Sequence, residues 1–167
     1  QGHILANDTS LVRLFKLQAN LNTQGVTNVN TRRGPGQDLW QEFPEYFDKT
    51  LVDVPCSMEG RFLCEVPKTY ENWSPKKNKE LVIRQRMLLR SAVSATKPGG
   101  TIVYSTCTLS PDENEGVVDW LLKKEGTAVS VQSIELKGIP TYPALAQWKH
   151  KVFSPQMSNT IRILPSA

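Results

Sequence analysis

The strongest constraint on this chain is an alternation. Short β-branched apolar runs, Leu51-Val52 and Ile102-Val103 among them, are separated by segments long enough to form helices. Two strands joined by a helix-length crossover pair in parallel. The segment between those two runs carries the clearest period. Leu81, Val82, Gln85, Leu88, Leu89, Ala92 and Val93 share one helical stripe, with Arg84, Arg86 and Arg90 off it or beside it. Lys97-Pro98-Gly99-Gly100 then stops the helix and turns the chain into a strand over Thr101 to Tyr104. The class that follows is α/β, of the doubly wound kind.

The same reading extends in both directions. Gly2 to Ala6 reads as a strand with Asp8 just past its carboxyl end. A helix follows, with Leu11, Leu14, Phe15 and Leu21 on its apolar side, Thr9 or Ser10 as its cap and Gly25 as its stop. Val26 to Val29 is the next expected strand. Arg32 to Gly36 is expected to be a loop, because a proline and two glycines do not sustain a ladder. Lys49 to Val54 is a strand, and the irregular stretch from Pro55 to Pro75 has the length of a functional loop. Ser110-Pro111-Asp112-Glu113 reads as a capping box opening a helix, with Val117, Val118, Trp120, Leu121 and Leu122 on its buried side and Gly126 at its end. Ala128 to Leu136 and Thr160 to Leu164 read as further strands. A length of 167 residues suits a single domain over 1–167.

Charge and cysteine usage narrow the possible functions. Twenty Lys and Arg against sixteen Asp and Glu give a formal charge of +4, a mild bias that suits a polyanionic partner without requiring one. Three cysteines, at 56, 64 and 107, form no Cys-x-x-Cys pair, and their odd number argues for a reducing compartment. The first residues lack the pattern of a signal peptide, and no stretch is apolar enough to span a bilayer. A soluble, cytoplasmic protein is expected. His3 and His150 are the only histidines, so a Cys-His protease would need one of them beside Cys56 or Cys107. Zinc binding fails on ligand spacing.

Cys56 and Cys107 are the focus of the chemistry. Each follows an apolar run, in Asp53-Val54-Pro55-Cys56-Ser57 and in Tyr104-Ser105-Thr106-Cys107-Thr108, where a buried strand is expected to run out into a loop. Ligands of open α/β sheets bind at the carboxyl ends of strands, so two thiols delivered there could face one substrate. Cys64 reads as an ordinary loop cysteine.

These motifs are specific enough to carry a resemblance. Asp53-Val-Pro-Cys-Ser, the run Lys97-Pro-Gly-Gly-Thr-Ile-Val-Tyr-Ser-Thr-Cys-Thr and Glu113-Asn-Glu closely resemble RNA cytosine-5 methyltransferases of the Nol/Nop/Sun family, to which the Rsm B and F enzymes belong. Ala6-Asn7-Asp8 with Arg13 resembles the family's second cofactor motif. The match covers roughly residues 2 to 126. It implies a Rossmann-like fold that uses S-adenosylmethionine, and an RNA substrate, ribosomal RNA ahead of transfer RNA. It implies Cys107 as nucleophile and Cys56 as the group that helps release product. Asp53 would lie near the cofactor and the cytosine, with Pro55 shaping its turn, and Asp8 would take the ribose hydroxyls with Arg13 close by; where the family carries an acidic residue against the adenine, this chain offers Gly36 and, slightly out of register, Asp38. The family's Gly-rich cofactor motif has no counterpart here, since no G-x-G-x-x-G is present. The glycine-aromatic hairpin expected after Leu164 is missing too. The expectation is a fold incomplete at its amino end, a fragment whose missing N-terminal segment belongs to a longer parent.

A capping-box helix starting three residues after Cys107 would place a positive helix end near its sulfur and favour the thiolate. Lys76, Lys77, Lys79, Arg84, Arg86, Lys123, Lys124, Lys149, His150 and Lys151 either track an RNA backbone or form solvated faces. Trp73 and Tyr70 either stack on a flipped base or pin their loop to the core. Asp8 is equally readable as a helix cap. Against the enzyme stands a catalytically inactive RNA-binding module or scaffold.

Overall fold

In the computed structural model, which describes residues 2–164, β1 (Ile4–Asp8), α1 (Leu11–Thr23) and β2 (Val29–Arg33) form a βαβ crossover. The two strands are parallel, in register from Ile4 opposite Val29 to Asp8 opposite Arg33. Ser10 caps α1 by accepting from the Arg13 amide, and Gly25 beyond the helix has φ +66°, the left-handed conformation glycine adopts without cost. Strand β2 lies three residues later than the Val26 to Val29 expectation. Arg32 and Arg33 thereby join the ladder rather than the loop. The Arg32 guanidinium is satisfied there by Asn7 Oδ1 at 2.7 Å and by an ion pair with Glu42, which removes the cost of a cation in a strand.

After the short helix α2 (Leu39–Glu42), strand β3 (Phe47–Asp53), helix α3 (Pro75–Ala95) and strand β4 (Thr96–Ser105) follow, with β3 and β4 paired in a two-stranded sheet. The long helix keeps its predicted stripe, and Gln85, Leu89, Ala92 and Ala95 are buried. It ends at Ala95, ahead of the Lys97-Pro98 stop. Thr96 turns the chain, donating its hydroxyl to the Ala92 carbonyl at 2.7 Å and lying 2.7 Å from the Thr50 hydroxyl. The strands that lead to the cysteines are half covered rather than buried. Val52 and Val54 are buried, while Leu51 is 70% and Val103 48% exposed, the alternation of strands with one wet face.

The chain divides into two compact units, one comprising residues up to 50 with 90–102, the other 51–89 with those from 103 onward. The second unit adds α4 (Glu115–Glu125) and four two-residue strands: β5 (Tyr142–Pro143) pairs antiparallel with β8 (Ile161–Arg162), and β6 (Gln147–Trp148) with β7 (Lys151–Val152). Leu122, Phe153 and Met157 form a buried cluster, with Val118, Val129, Val131 and Ala144 packed against it. The strand expected over Ala128 to Leu136 does not form. Side chains replace its ladder: the Val131 amide donates to Gln156 Oε1 and its carbonyl accepts from Asn159 Nδ2, both at 2.8 Å. The strand expected from Thr160 to Leu164 shrinks to β8, and the hairpin position after Leu164 lies outside the described residues. Among those residues no helix is long and apolar enough to cross a membrane.

Candidate active site

The alternation along β3 turns Val52 and Val54 inward and leaves Asp53 exposed at the strand end. Asp53 Oδ1 lies 3.5 Å from the Ser105 hydroxyl, a long contact that leaves the carboxylate available. The Val54 amide still reaches the Ser105 carbonyl at 3.3 Å. Just beyond that link the two thiols meet: Cys56 Sγ and Cys107 Sγ are 3.3 Å apart. Cys107 is exposed and Cys56 half-buried. Burial pushes the Cys56 thiol up to about 11, so at neutral pH Cys56 keeps its proton.

A buried carboxylate, expected from the sequence to close a capping box, lies next to the cysteine loops instead. Glu113 is fully buried and does not close a capping box. Helix α4 starts at Glu115 with Asn114 as its cap residue, so the helix end expected at Pro111 beside Cys107 is not formed there. The Glu113 carboxylate instead accepts from the Ser57 amide at 3.0 Å, the Ser57 hydroxyl at 2.5 Å, Asn78 Nδ2 at 2.8 Å, Gln85 Nε2 at 2.7 Å and the Thr108 hydroxyl at 3.3 Å. The Ser57 and Thr108 hydroxyls are themselves 2.7 Å apart. Asn114 brackets Cys107, accepting from Thr106 Oγ1 at 2.6 Å and donating to the Thr108 carbonyl at 3.0 Å. Tyr104 donates its hydroxyl to the Glu113 carbonyl at 2.8 Å. Its phenol is driven strongly upward by burial and by the Glu113 charge. The signal for this cluster was an amide on an apolar stripe: a buried Gln85 demands a partner, and Asn78 lies on the same helical face.

In the first unit, Asp8 stands at the carboxyl end of β1. It accepts from the Ser10 amide and from Arg13 Nε and a terminal guanidinium nitrogen, each at 2.7 Å, and the Arg13 hydrogen bonds draw its carboxyl below the usual range. Ser10 holds the cap position, which frees Asp8 from that task. Gly36 opens a single 3-10 turn, Gly36–Asp38, and its carbonyl accepts from the Ser91 hydroxyl at 2.8 Å. The structure thus joins Asp8 with Arg13 in one unit, and Asp53, Pro55, Cys56 and Cys107 in the other, where the Pro55 carbonyl accepts from Gln85 Nε2 at 2.9 Å.

The long loop is folded rather than loose. Trp73 Nε1 donates to Glu59 at 3.0 Å, and Tyr70 packs its ring 5.9 Å from that of Phe62. Both aromatic side chains stay exposed, and Trp73 lines a cleft that reaches Cys56. Several of the basic residues have partners: Arg86 lies over the Trp120 ring, Lys123 pairs with Asp119, and Lys149 and Lys151 pair with Asp112. Lys76, Lys77, Lys79 and Arg84 are exposed along one stretch of α3.

The fold is shared with solved methyltransferases of the Rossmann-like, S-adenosylmethionine-dependent class. A methyltransferase homolog from Pyrococcus horikoshii superposes with a TM-score of 0.75 at 31% identity, over 95% of this chain and 47% of its own. NSun6 from Pyrococcus horikoshii, solved with SFG, gives 0.71 at 29% identity, over 96% and 39%. Residues 1–165 match the family described as 16S rRNA methyltransferase RsmB/F, and the chain belongs to that family. The ribosomal RNA small subunit methyltransferase F of Cronobacter sakazakii is 44% identical over 135 residues, 81% of this chain and 28% of that protein. The Klebsiella pneumoniae protein of the same name is 43% identical over 130 residues, 78% and 27%. The chain therefore spans somewhat over a quarter of the length of these relatives.

Proposed function

We propose that this chain is the catalytic part of an RNA methyltransferase that transfers a methyl group from S-adenosylmethionine to carbon 5 of a cytosine in small-subunit ribosomal RNA. The observation that carries the reading is the pair of sulfurs 3.3 Å apart at the ends of β3 and β4. Carbon 5 of cytosine is a weak nucleophile. Addition of a thiolate to carbon 6 turns the ring into an enamine, whose carbon 5 can attack an electrophilic methyl group, and so divides one hard step into easier ones.

Cys107 is the attacking thiolate, since it is exposed. Cys56, kept protonated by burial, hydrogen-bonds with the attacking sulfur from 3.3 Å away. Asp53, exposed on the strand end, accepts from the cytosine amino group and orients the ring. After transfer, the carbon 5 proton leaves to a base, its bonding pair forms the C5=C6 double bond, and the Cys107 sulfur departs as thiolate. Cys56 stands next to that breaking bond and serves this release. Pro55 has no N–H and directs the chain from Asp53 to Cys56.

The residues present fit the cofactor in part: Asp8, at the carboxyl end of β1 with Arg13 beside it, holds the ribose, and Gly36 lies by the adenine. When bound, S-adenosylmethionine supplies the methyl group. NSun6, the relative solved with SFG, an analogue of S-adenosylmethionine, supports this assignment. RNA is drawn in by the exposed cations of α3, and the reaction belongs in the cytoplasm, where ribosomal subunits mature.

The test is trapping. The full-length protein, as wild type, Cys56→Ala and Cys56→Ala/Cys107→Ala, is incubated with S-adenosylmethionine and small-subunit RNA, and denaturant-resistant protein–RNA adducts are resolved on gels. An adduct that accumulates in Cys56→Ala and is absent from the double variant is expected. Bound RNA and cofactor without adduct in any variant would favour a catalytically inactive RNA-binding module.

A further inference from the structure

We propose that Glu113 is a positioning residue whose buried carboxylate sets the separation of the Cys56 and Cys107 sulfurs. The inference rests on the methyltransferase reading only for what that separation is used for. The strands alone do not hold the thiols. The ladder ends with the bond from the Val54 amide to the Ser105 carbonyl, and Pro55 has no N–H with which to extend it.

Past that point one backbone bond, from the Gly60 amide to the Cys107 carbonyl, joins the two cysteine loops, and the remaining links are made through side chains. Ser57 and Thr108, the residues immediately after each cysteine, bond to each other and to the same carboxylate. Gln85 fixes the preceding position as well, donating to both the Pro55 carbonyl and Glu113. Three of the groups facing Glu113 present an N–H: the Ser57 backbone amide, Asn78 Nδ2 and Gln85 Nε2, and Asn78 and Gln85 are held in that orientation by their second acceptors, the Ser110 hydroxyl and the Pro55 carbonyl. A carboxylate accepts from all of them. An isosteric amide at position 113 would turn an N–H toward donors and lose at least one link between the loops.

The readout is the effective concentration of one thiol at the other, measured without RNA or methyl donor. The full-length protein with Cys64→Ala is equilibrated in glutathione buffers. Oxidised glutathione takes two electrons and two protons from Cys56 and Cys107, giving their disulfide and two reduced glutathiones. The fraction of the Cys56–Cys107 disulfide is read by peptide mass spectrometry. Glu113→Gln is expected to lower the effective concentration at least about tenfold with its circular dichroism retained, and to lower kcat for methyl transfer while leaving KM for the cofactor unchanged.

A folded Glu113→Gln protein with the wild-type effective concentration overturns the proposal. If that variant does not fold, Ser57→Ala/Thr108→Val decides. It keeps the carboxylate and its three amide partners, the residue 57 backbone N–H, Asn78 and Gln85, and removes only the hydroxyl links, so a fall in the same quantity supports the proposal and an unchanged value overturns it. Because the thiol measurement needs no substrate, absence of methyl transfer in the wild type would count against the proposed reaction and leave this result standing.

Discussion

The backbone N–H of Gly60 donates to the carbonyl of Cys107 across 3.1 Å, and a Cβ built on Gly60 would lie 2.9 Å from that same oxygen. The loop after Cys56 is thus laid directly against the loop that carries Cys107, and glycine at this position is a matter of space. Gly60→Ala should push the Cys107 carbonyl away, at a cost of about 1–3 kcal/mol for the overpacked contact. Methyl transfer by the full-length protein should fall at least about tenfold in kcat. An alanine variant with wild-type turnover would show that the two loops move independently.

Alkylation should separate the thiols by pH. With its thiol pushed up to about 11 by burial, Cys56 at pH 8 is thiolate in only about one molecule in a thousand. A raised value means that the neutral form prevails below it, so the Cys56 rate with iodoacetamide should climb about tenfold per pH unit up to about pH 11. Exposed Cys107 should be labelled first at neutral pH. Peptide mass spectrometry over a pH series reads both, and a Cys56 rate that levels off near pH 9 would contradict the burial argument.

Arg162→Met should unfold the carboxyl-terminal part of the second unit at lower denaturant. Glu115 and Arg162 form an ion pair at 2.5 Å with side chains only 3% and 14% exposed. The arginine also donates to the Leu109 carbonyl at 3.0 Å. Removing one partner strands a buried charge, a loss of about 3–5 kcal/mol. Urea unfolding should show it as a lowered midpoint, and a shift equivalent to less than about 1 kcal/mol would mean that water reaches Glu115 as it does in exposed pairs.

Periodicity made the helices legible. The stripe from Leu81 to Val93 and the apolar side of α4 are decided by burial, which a single sequence records at each turn. The paired cysteines were legible for a different reason: each sits in a short motif attached to a strand. Three features were not. Strand β2 was placed too early because Arg32 and Arg33 look like loop residues until Asn7 and Glu42 are known to receive the Arg32 guanidinium. The Ala128 to Leu136 strand was wrongly expected because alternation cannot reveal that Gln156 and Asn159 take up the backbone groups of Val131. Glu113 was read as a local cap because Ser-Pro-Asp-Glu fits one, whereas its donors come from residues as distant in sequence as Ser57. In each case a side chain remote in sequence decided the outcome.

The three consecutive polar residues 113–115 face three different partners: Glu113 the cysteine loops, Asn114 the two threonines around Cys107, and Glu115 the arginine of β8. Surface loops ordinarily absorb insertions and deletions. This one does not have that freedom. Adding or removing a single residue between Cys107 and Asn114 would rotate every downstream side chain away from its partner, so the length of the segment is as fixed as its composition. Tags, cross-linkers or circular permutation sites placed in this protein belong elsewhere on its surface.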